Sequence, residues 1–330
     1  MKTTLILPRA QSGFGLVELM IAMTLGLVLL GSLGYVFLGT RGAFRVTDNL
    51  SRIQENARYA LEVVGRDVRM AGYVGCGNLA TTRVNTIANA PVTPMNAANA
   101  LRGYDDGTGW TNPTTIVRPA DAGDVLSVMG AFGGEVNLTG NLTPINANLQ
   151  INGNPNGYAP NDVLIVTDCA KADVFRATSV SSSGGIVTLA HANSSNTGNR
   201  TGAYRDDAFV MRMEQFSYFV GTNPAGNPAL YRVGLNGQPE ELVENVQEMQ
   251  LRYGLDTNGD GAVDSYSNTP ATWEQVVSVT ISLLMRSPDN NVSTSTQTAT
   301  FNNATFTAPD RRLYQVFSAT VGVRNRLPTL

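Results

Sequence analysis

The chain has 330 residues, of which 42% are hydrophobic and only 15% are charged, and it contains 33 glycines. A chain this rich in apolar residues can build a folded core, so the composition excludes an intrinsically disordered protein. Few charges and abundant glycine are typical of a β-rich, loop-rich protein outside the cytoplasm rather than of a cytosolic enzyme. The net charge of -3 gives no electrostatic reason to expect nucleic acid as the main partner.

The N-terminus is a short basic segment followed by a long apolar one. Residues 1–13 contain Lys2 and Arg9 and no acidic residue, and no charged side chain occurs from Leu19 to Thr40. As a helix, this apolar stretch would span about 33 Å, enough to cross a hydrocarbon core of about 30 Å. The apolar region of a secretory signal peptide is shorter, at about 7–15 residues. The pattern predicts a membrane-spanning helix with its basic end in the cytoplasm, and an uncleaved signal anchor is the alternative.

Glu18 is a carboxylate near the start of this span, where it costs on the order of a few kcal/mol and is therefore a functional candidate. It stands five residues after Gly13, in the run Gly-Phe-Gly-Leu-Val-Glu. This run resembles the type IV prepilin signature. The resemblance implies that a prepilin peptidase cleaves between Gly13 and Phe14 and that the new Phe14 amine is N-methylated. Glu18 would then assist assembly by pairing with that amine in a neighbouring subunit or in its own, and the sequence leaves both options open.

The helical pattern continues beyond the apolar segment. After Arg41, apolar residues recur at spacings of three and four, charged side chains fill the opposite face, and Gly72 and Gly75 supply stop signals. We expect one helix from about Phe14 to Ala71, whose second half packs on a globular domain. The apolar positions of that half are Leu50, Ile53, Ala57, Ala60, Leu61, Val64, Val68 and Ala71.

Beyond Gly72 the helical period disappears and strand-length apolar runs replace it. In the clearest run, the odd positions from 277 to 283 are apolar and alternate with serine and threonine, as in a half-buried antiparallel strand. Strands are expected at 124–129, 162–167, 185–190, 208–220, 242–253, 275–286 and 312–323. Long surface loops are expected at 85–120, 133–161, 191–203 and 288–309. The predicted fold is α+β and type IV pilin-like: a long N-terminal spine helix, transmembrane and then amphipathic, packed on an antiparallel β-rich globular domain.

Three further segments resemble minor pilins of the PilW family. They are Arg66–Cys76 at the end of the helix, Tyr253–Asp256 with the Asp/Gly loop and strand that follow it, and the closing stretch Arg311–Arg326. The resemblance implies a minor pilin that helps to initiate type IV pilus assembly, in a tip or priming complex with other minor pilins. One alternative is a pseudopilin of type II secretion, since the J-type pseudopilin is related in plan. Another is an adhesive or DNA-binding module at the pilus tip, with its ligand contacts in loops within 85–161.

The same resemblance implies partners and a location. The partners are the prepilin peptidase, the other minor pilins, the major pilin and the pilus assembly platform. The protein would be a single-pass inner-membrane protein with its C-terminal domain in the periplasm, later incorporated at the tip of the pilus. The expected division is a leader at 1–13, a transmembrane part at 14–40, an amphipathic part at 41–72 and a periplasmic β-rich domain at 73–330.

The chain has two cysteines, Cys76 and Cys169, the smallest number that can form a disulfide within one chain. A periplasmic domain meets an oxidising compartment, so we expect a disulfide between them. The alternative is a pair of buried free thiols.

A loop from Asp256 to Asp264 matches the front of a calcium-binding loop of the EF-hand type. Oxygen-bearing side chains stand at positions 1, 3, 5 and 9, glycine stands at position 6, and Ala262 would offer its carbonyl. Ser267 replaces the bidentate glutamate of position 12, so the match is incomplete. The predicted ligands are Asp256, Asn258, Asp260, Ala262 and Asp264, no other cofactor is expected, and the alternative is a polar turn.

Enzymatic chemistry finds little support in the sequence. The chain has one histidine, His191, and no nucleophile-elbow or phosphate-binding motif. We therefore expect a protein that is not an enzyme. Arg311, Arg312, Arg324 and Arg326 could form a basic patch for DNA, but solvated strand ends are the simpler interpretation.

Overall fold

The computed structural model describes residues 15–76, 79, 82–140, 148–198, 201–205 and 207–326. In these ranges the chain forms one long helix, α1 (Leu16–Met70), and a series of β-strands. The strands are β1 (Arg83–Thr86), β2 (Leu101–Tyr104), β3 (Val125–Gly140), β4 (Asn148–Asn152), β5 (Val163–Thr167), β6 (Lys171–Arg176), β7 (Ser179–Ser183), β8 (Ile186–Ala190), β9 (Phe209–Thr222), β10 (Pro228–Val233), β11 (Pro239–Glu244), β12 (Val246–Leu255), β13 (Ser265–Ser267), β14 (Val276–Arg286), β15 (Thr298–Phe301), β16 (Ala304–Thr307) and β17 (Tyr314–Gly322). The chain divides into two compact units after Ser51.

The first unit holds the N-terminal part of α1. Its large apolar side chains from Leu16 to Phe44 are exposed around the whole circumference of the helix. The hydroxyls of Thr24 and Ser32 donate to the carbonyls of Met20 and Val28, so these polar groups are satisfied inside the helix. By length and composition α1 could cross a membrane.

The second unit contains the sheets. Among the described residues, the largest sheet has 11 strands; its main path runs β1-β6-β5-β9-β3-β4-β8-β7, and β2, β10 and β11 branch from it. Every strand pair in it is antiparallel except β1 with β6. A second sheet has the order β13-β12-β14-β17, and β15 pairs with β16 in a separate hairpin. The sheets confirm the predicted α+β class.

The second half of α1 forms part of the core of this unit. Residues at spacings of three and four are buried on one face: Ile53, Ala57, Ala60, Val64, Val68 and Ala71. They pack in one cluster with Leu126 and Tyr218 of the large sheet and Ile281 and Leu283 of the second sheet. This face of the helix contacts both sheets, so the helix and the two sheets share one hydrophobic core. Burial of each large apolar side chain there stabilises the folded state by about 1.5–3 kcal/mol.

The end of α1 is joined directly to β3. Gly72 has a φ of 77°, the left-handed conformation that ends many helices. Its N–H donates to the carbonyl of Met129 at 2.8 Å, and the N–H of Ala131 donates to the carbonyl of Tyr73 at 2.7 Å. These hydrogen bonds hold the segment after the helix, which continues to Cys76, against β3.

Several segments predicted as loops contain strands. The stretch 85–120 includes β2, 133–161 includes β4 and the end of β3, and 288–309 includes β15 and β16. The run predicted at 242–253 is two strands, since the chain turns at Asn245, whose φ is 62°. Short strands rich in Asn, Thr and Ser carry little of the apolar alternation that identifies a strand in sequence.

Candidate functional site

Glu18 lies in the first turn of α1, next to the positive end of the helix dipole. Its Oε2 accepts a hydrogen bond from the backbone N–H of Gly15 at 3.3 Å, and its side chain is exposed. The predicted cleavage and methylation positions, Gly13 and Phe14, lie outside the described residues. A pairing of Glu18 with the Phe14 amine therefore stays a prediction.

At the other end of the helix, Asp67 forms a buried polar cluster that the sequence analysis missed. Its side chain is 2% exposed, and its Oδ2 accepts a hydrogen bond from the phenol of Tyr218 in β9. Arg66 Nε lies 3.2 Å from its Oδ1, and Arg232 Nη1 of β10 lies 3.7 Å from its Oδ2. Arg232 also forms an ion pair with Glu240 at 2.7 Å. These partners stabilise a carboxylate that burial alone would disfavour.

The signal for this cluster was present in the sequence. Asp67 lies three residues after Val64, on the face that carries the apolar residues, rather than on the charged face. Burial raises the pKa of Tyr218, and the charge of Asp67 raises it further, so the phenol stays protonated and serves as a donor. The pair therefore fixes the position of the helix along the sheet.

Cys76 and Cys169 are joined by a disulfide with a Cα–Cα distance of 5.2 Å. Cys76 follows the end of α1, and Cys169 lies between β5 and β6 with a φ of 70°. The bridge links the chain just beyond the helix to the turn between β5 and β6 of the large sheet. It lies near the surface, since both cysteines are exposed.

The loop from Asp256 to Asp264 directs its polar side chains toward its own backbone. Asp256 accepts hydrogen bonds from the N–H groups of Gly259 at 2.6 Å and Gly261 at 2.7 Å. Asp260 accepts from the N–H of Ala262, and Asn258 accepts from the N–H of Asp260. This pattern is the hydrogen bonding of a tight polar turn.

The same loop leaves some oxygen atoms for a cation. Asp264 Oδ2 accepts from the N–H and hydroxyl of Thr257, whereas its Oδ1 lies 3.5 Å from the side-chain amide nitrogen of Asn258. Within the described ranges, no group of three or more His, Cys, Asp or Glu side chains is gathered closely enough to hold a metal ion. Calcium binding by Asp256, Asn258, Asp260, Ala262 and Asp264 would require the side chains to turn away from the backbone, and it stays a prediction.

His191 is fully buried, and its ring packs 5.1 Å from the ring of Phe175. Neither ring nitrogen has a hydrogen-bond partner among the described residues. Burial lowers its pKa, so the imidazole is neutral at neutral pH. The ring therefore packs as part of the core, against Phe175.

Two family models match this chain. Residues 217–325 match the type IV pilus-assembly protein W family, and residues 8–34 match the prokaryotic N-terminal methylation motif. No curated protein matches the chain. Among solved structures, it is similar to a type IV-like pilin from Thermus thermophilus, with 12% identity over 86% of this chain and 98% of the other. The TM-score of that superposition is 0.33, too low to support an argument about fold or function.

The two family matches cover the prepilin signature and two of the three segments that resemble PilW, whereas Arg66–Cys76 lies outside both. The first covers the predicted cleavage site, Glu18 and the start of the apolar helix. The second covers the last six residues of β9 and all of the second sheet, which packs against the other half of that helix. Together the two matches support a type IV pilin-like protein of the PilW minor-pilin type.

Proposed function

We propose that this protein helps to initiate assembly of type IV pili, as one subunit of a tip or priming complex with other minor pilins. The observation that carries the proposal is the position of Glu18: an exposed carboxylate in the first turn of a helix that has no other charged side chain before Arg41. In a membrane such a charge needs a partner. The amine that cleavage before Phe14 would create has the matching charge.

The mechanism follows from the free energy of burying these two charges. Separately, each is costly in a medium of low dielectric constant, and together they attract strongly. A subunit entering the assembly would therefore be held in register where its amine meets the Glu18 carboxylate of a neighbour. Pairing within one subunit would neutralise the charges without fixing any register, and this is the competing arrangement.

The proposed orientation has the leader at 1–13 in the cytoplasm, the transmembrane part at 14–40 in the inner membrane and the β-rich domain in the periplasm. The basic leader supports this orientation because positive residues favour the cytoplasmic side. The disulfide between Cys76 and Cys169 supports a periplasmic domain, since such bonds persist in oxidising compartments. The proposed partners are the prepilin peptidase, the other minor pilins, the major pilin and the assembly platform.

The test is deletion in the native cell, with complementation by variants. Deletion should abolish surface pili and twitching, and wild-type protein should restore both. Glu18→Ala should be cleaved and accumulate in the membrane, yet fail to restore pili. Glu55→Ala is the matched control, an exposed acid farther along the same helix, and it should restore them. Normal piliation with Glu18→Ala would contradict the proposed mechanism, and loss of protein secretion with intact pili would assign the protein to type II secretion instead.

A further inference from the structure

A groove on the second unit is lined by residues that belong neither to the helix nor to the disulfide. It has a volume of about 400 Å³ and is bounded on one side by Arg102–Asp105, at the end of β2, and on the other by Asn268–Pro270 and Trp273. We call it the Trp273 groove. Its size is in the range of small-molecule sites, which bind through apolar surface and a few polar groups.

Two aromatic side chains line the groove, and the core holds both from behind. The ring of Trp273 packs edge-to-face against Tyr253, with ring centroids 4.9 Å apart, and Tyr253 is 1% exposed. Tyr104 packs against the buried cluster that includes Val125 and Phe219. Both lining rings are half-buried, so they present a partly exposed surface whose position is fixed before any ligand arrives.

Gly103 allows this arrangement. A Cβ atom on Gly103 would lie 1.6 Å from the hydroxyl oxygen of Tyr253. Only glycine therefore lets Tyr253 pack beneath β2 and support Trp273 from below. This close approach links the sequence of β2 to the position of the aromatic ring in the groove.

The rim is polar and has unused hydrogen-bonding groups. Arg102, Asp105, Thr108, Asn268 and Thr269 are all exposed. Their side chains make no hydrogen bond to any residue in the described part of the chain, whereas each can donate or accept several. Arg102 and Asp105 carry opposite charges, so the rim has no net charge that would select an ion.

A second groove on the same unit differs in that several of its charged side chains are already paired. It is lined by Arg212, Arg232 and Glu240, among others, and has a volume of about 420 Å³. There Arg212 pairs with Asp162 at 3.0 Å and Arg232 pairs with Glu240 at 2.7 Å, so its strongest polar groups already have partners. In the Trp273 groove, by contrast, the polar side chains named above are free to bind a ligand.

We propose that the Trp273 groove binds a neutral pyranose sugar. The C–H groups on one face of a pyranose are weakly positive and pack on the negative face of an aromatic ring. Its hydroxyls both donate and accept, which matches a rim of one guanidinium, one carboxylate, an amide and hydroxyls. An ionic ligand would gain little from a rim without net charge, and a purely apolar ligand would leave the rim groups unpaired. This proposal does not rest on the assembly role of Glu18.

The test uses tryptophan fluorescence, because the chain has only two tryptophans, Trp110 and Trp273. Trp110 packs on Phe219 with ring centroids 5.0 Å apart and does not line the groove. In a Trp110→Phe background of the full chain, the signal reports Trp273 alone. The detergent must carry no sugar headgroup, since a glucoside or maltoside would compete for the site.

Cellotriose, maltotriose and chitotriose are the probes. At least one should give a saturable change in Trp273 fluorescence with a Kd of about 1 mM. Asp105→Ala and Asn268→Ala, both at exposed rim positions that leave the core intact, should each weaken that binding about tenfold. Asn236→Ala, in the second groove, should leave it unchanged. No saturable change with any probe up to about 10 mM, or equal binding by the rim variants, would overturn the proposal.

Discussion

Tyr218 in β9 donates its phenolic hydrogen to the carboxylate of Asp67, near the C-terminal end of α1. A carboxylate at that end of a helix opposes the helix dipole, and this one is also buried. Its position is stable only because Tyr218, Arg66 and Arg232 surround it. The contact is thus a point at which the helix and the large sheet are held in one alignment.

Tyr218→Phe should lower the free energy of unfolding by about 1–3 kcal/mol, because it leaves a buried carboxylate with one donor fewer and adds no cavity. The measurement is denaturant unfolding of the full chain in mild detergent. Tyr59→Phe, at a position that is 51% exposed on the same helix, is the matched control and should be neutral. Equal stability of the two variants would show that the hydrogen bond contributes nothing.

Reduction of the Cys76–Cys169 bridge should lower the free energy of unfolding by about 4–5 kcal/mol in the chain-entropy account, because the bridge closes a loop between residues 93 apart. Cys76→Ala combined with Cys169→Ala should have the same stability with and without reductant, close to that of the reduced wild type. Alkylation and mass measurement provide the direct check. Two reactive thiols in the unreduced native protein would rule out the bridge.

Asp124 should make stability depend on pH. Burial raises the pKa of its carboxyl to about 6, although the backbone N–H groups of Asp106 and Leu251 donate to it and lower the pKa in part. The folded chain therefore holds this proton more tightly than the unfolded chain, in which the pKa is about 3.9. The contribution of Asp124 to stability should be highest below about pH 4, fall by up to about 3 kcal/mol as the pH rises through about 6, and then level off.

Asp124→Asn removes the ionisable group and should flatten that fall, as measured by denaturant midpoints between about pH 4 and pH 7. A shallower slope of the same sign should remain, because burial also raises the pKa of Glu214 and Glu248. The Asn variant has its own offset in stability, since an amide accepts hydrogen bonds on one oxygen only. An unchanged slope in this variant would exclude Asp124 as its source.

Calcium should bind the Asp256–Asp264 loop weakly, with a Kd of about 0.1–1 mM, because no bidentate glutamate completes the site. Calorimetry of the full chain should show saturable heat that Asp260→Ala abolishes and that Glu244→Ala, an exposed acid outside the loop, retains. If the wild type releases no heat at millimolar calcium, the loop is only a turn.

The helix could be predicted almost in full, and the sheet only in part. The apolar stretch and the spacing from Ile53 to Ala71 mark one helix, and the observed bounds, Leu16–Met70, differ from the expected ones by two residues or fewer. Long strands with strong alternation, such as β14, were also found. No strand was predicted at the positions of β1, β2, β4, β6, β7, β10, β13, β15 and β16. Most of these are short or polar, and such strands are stabilised by their neighbours rather than by a pattern of their own.

The candidate sites divide in the same way. Glu18 stands out because a charge in an apolar segment is conspicuous in any sequence. Asp67 and Gly103 depend on distant partners, Tyr218 and Tyr253, which only the folded chain brings to them. The local sequence shows that a residue type is unusual at its position. The contact that explains the residue is seen only in the tertiary structure.

The mature N-terminus in the native cell tests the central claim most directly. We predict that intact-mass and fragment measurements will find a chain that begins at N-methylated Phe14 when prepilin peptidase is present and at Met1 when it is absent. A protein that begins at Met1 in normal cells, or at a residue beyond the apolar stretch, would contradict the account of Gly13, Phe14 and Glu18 given above.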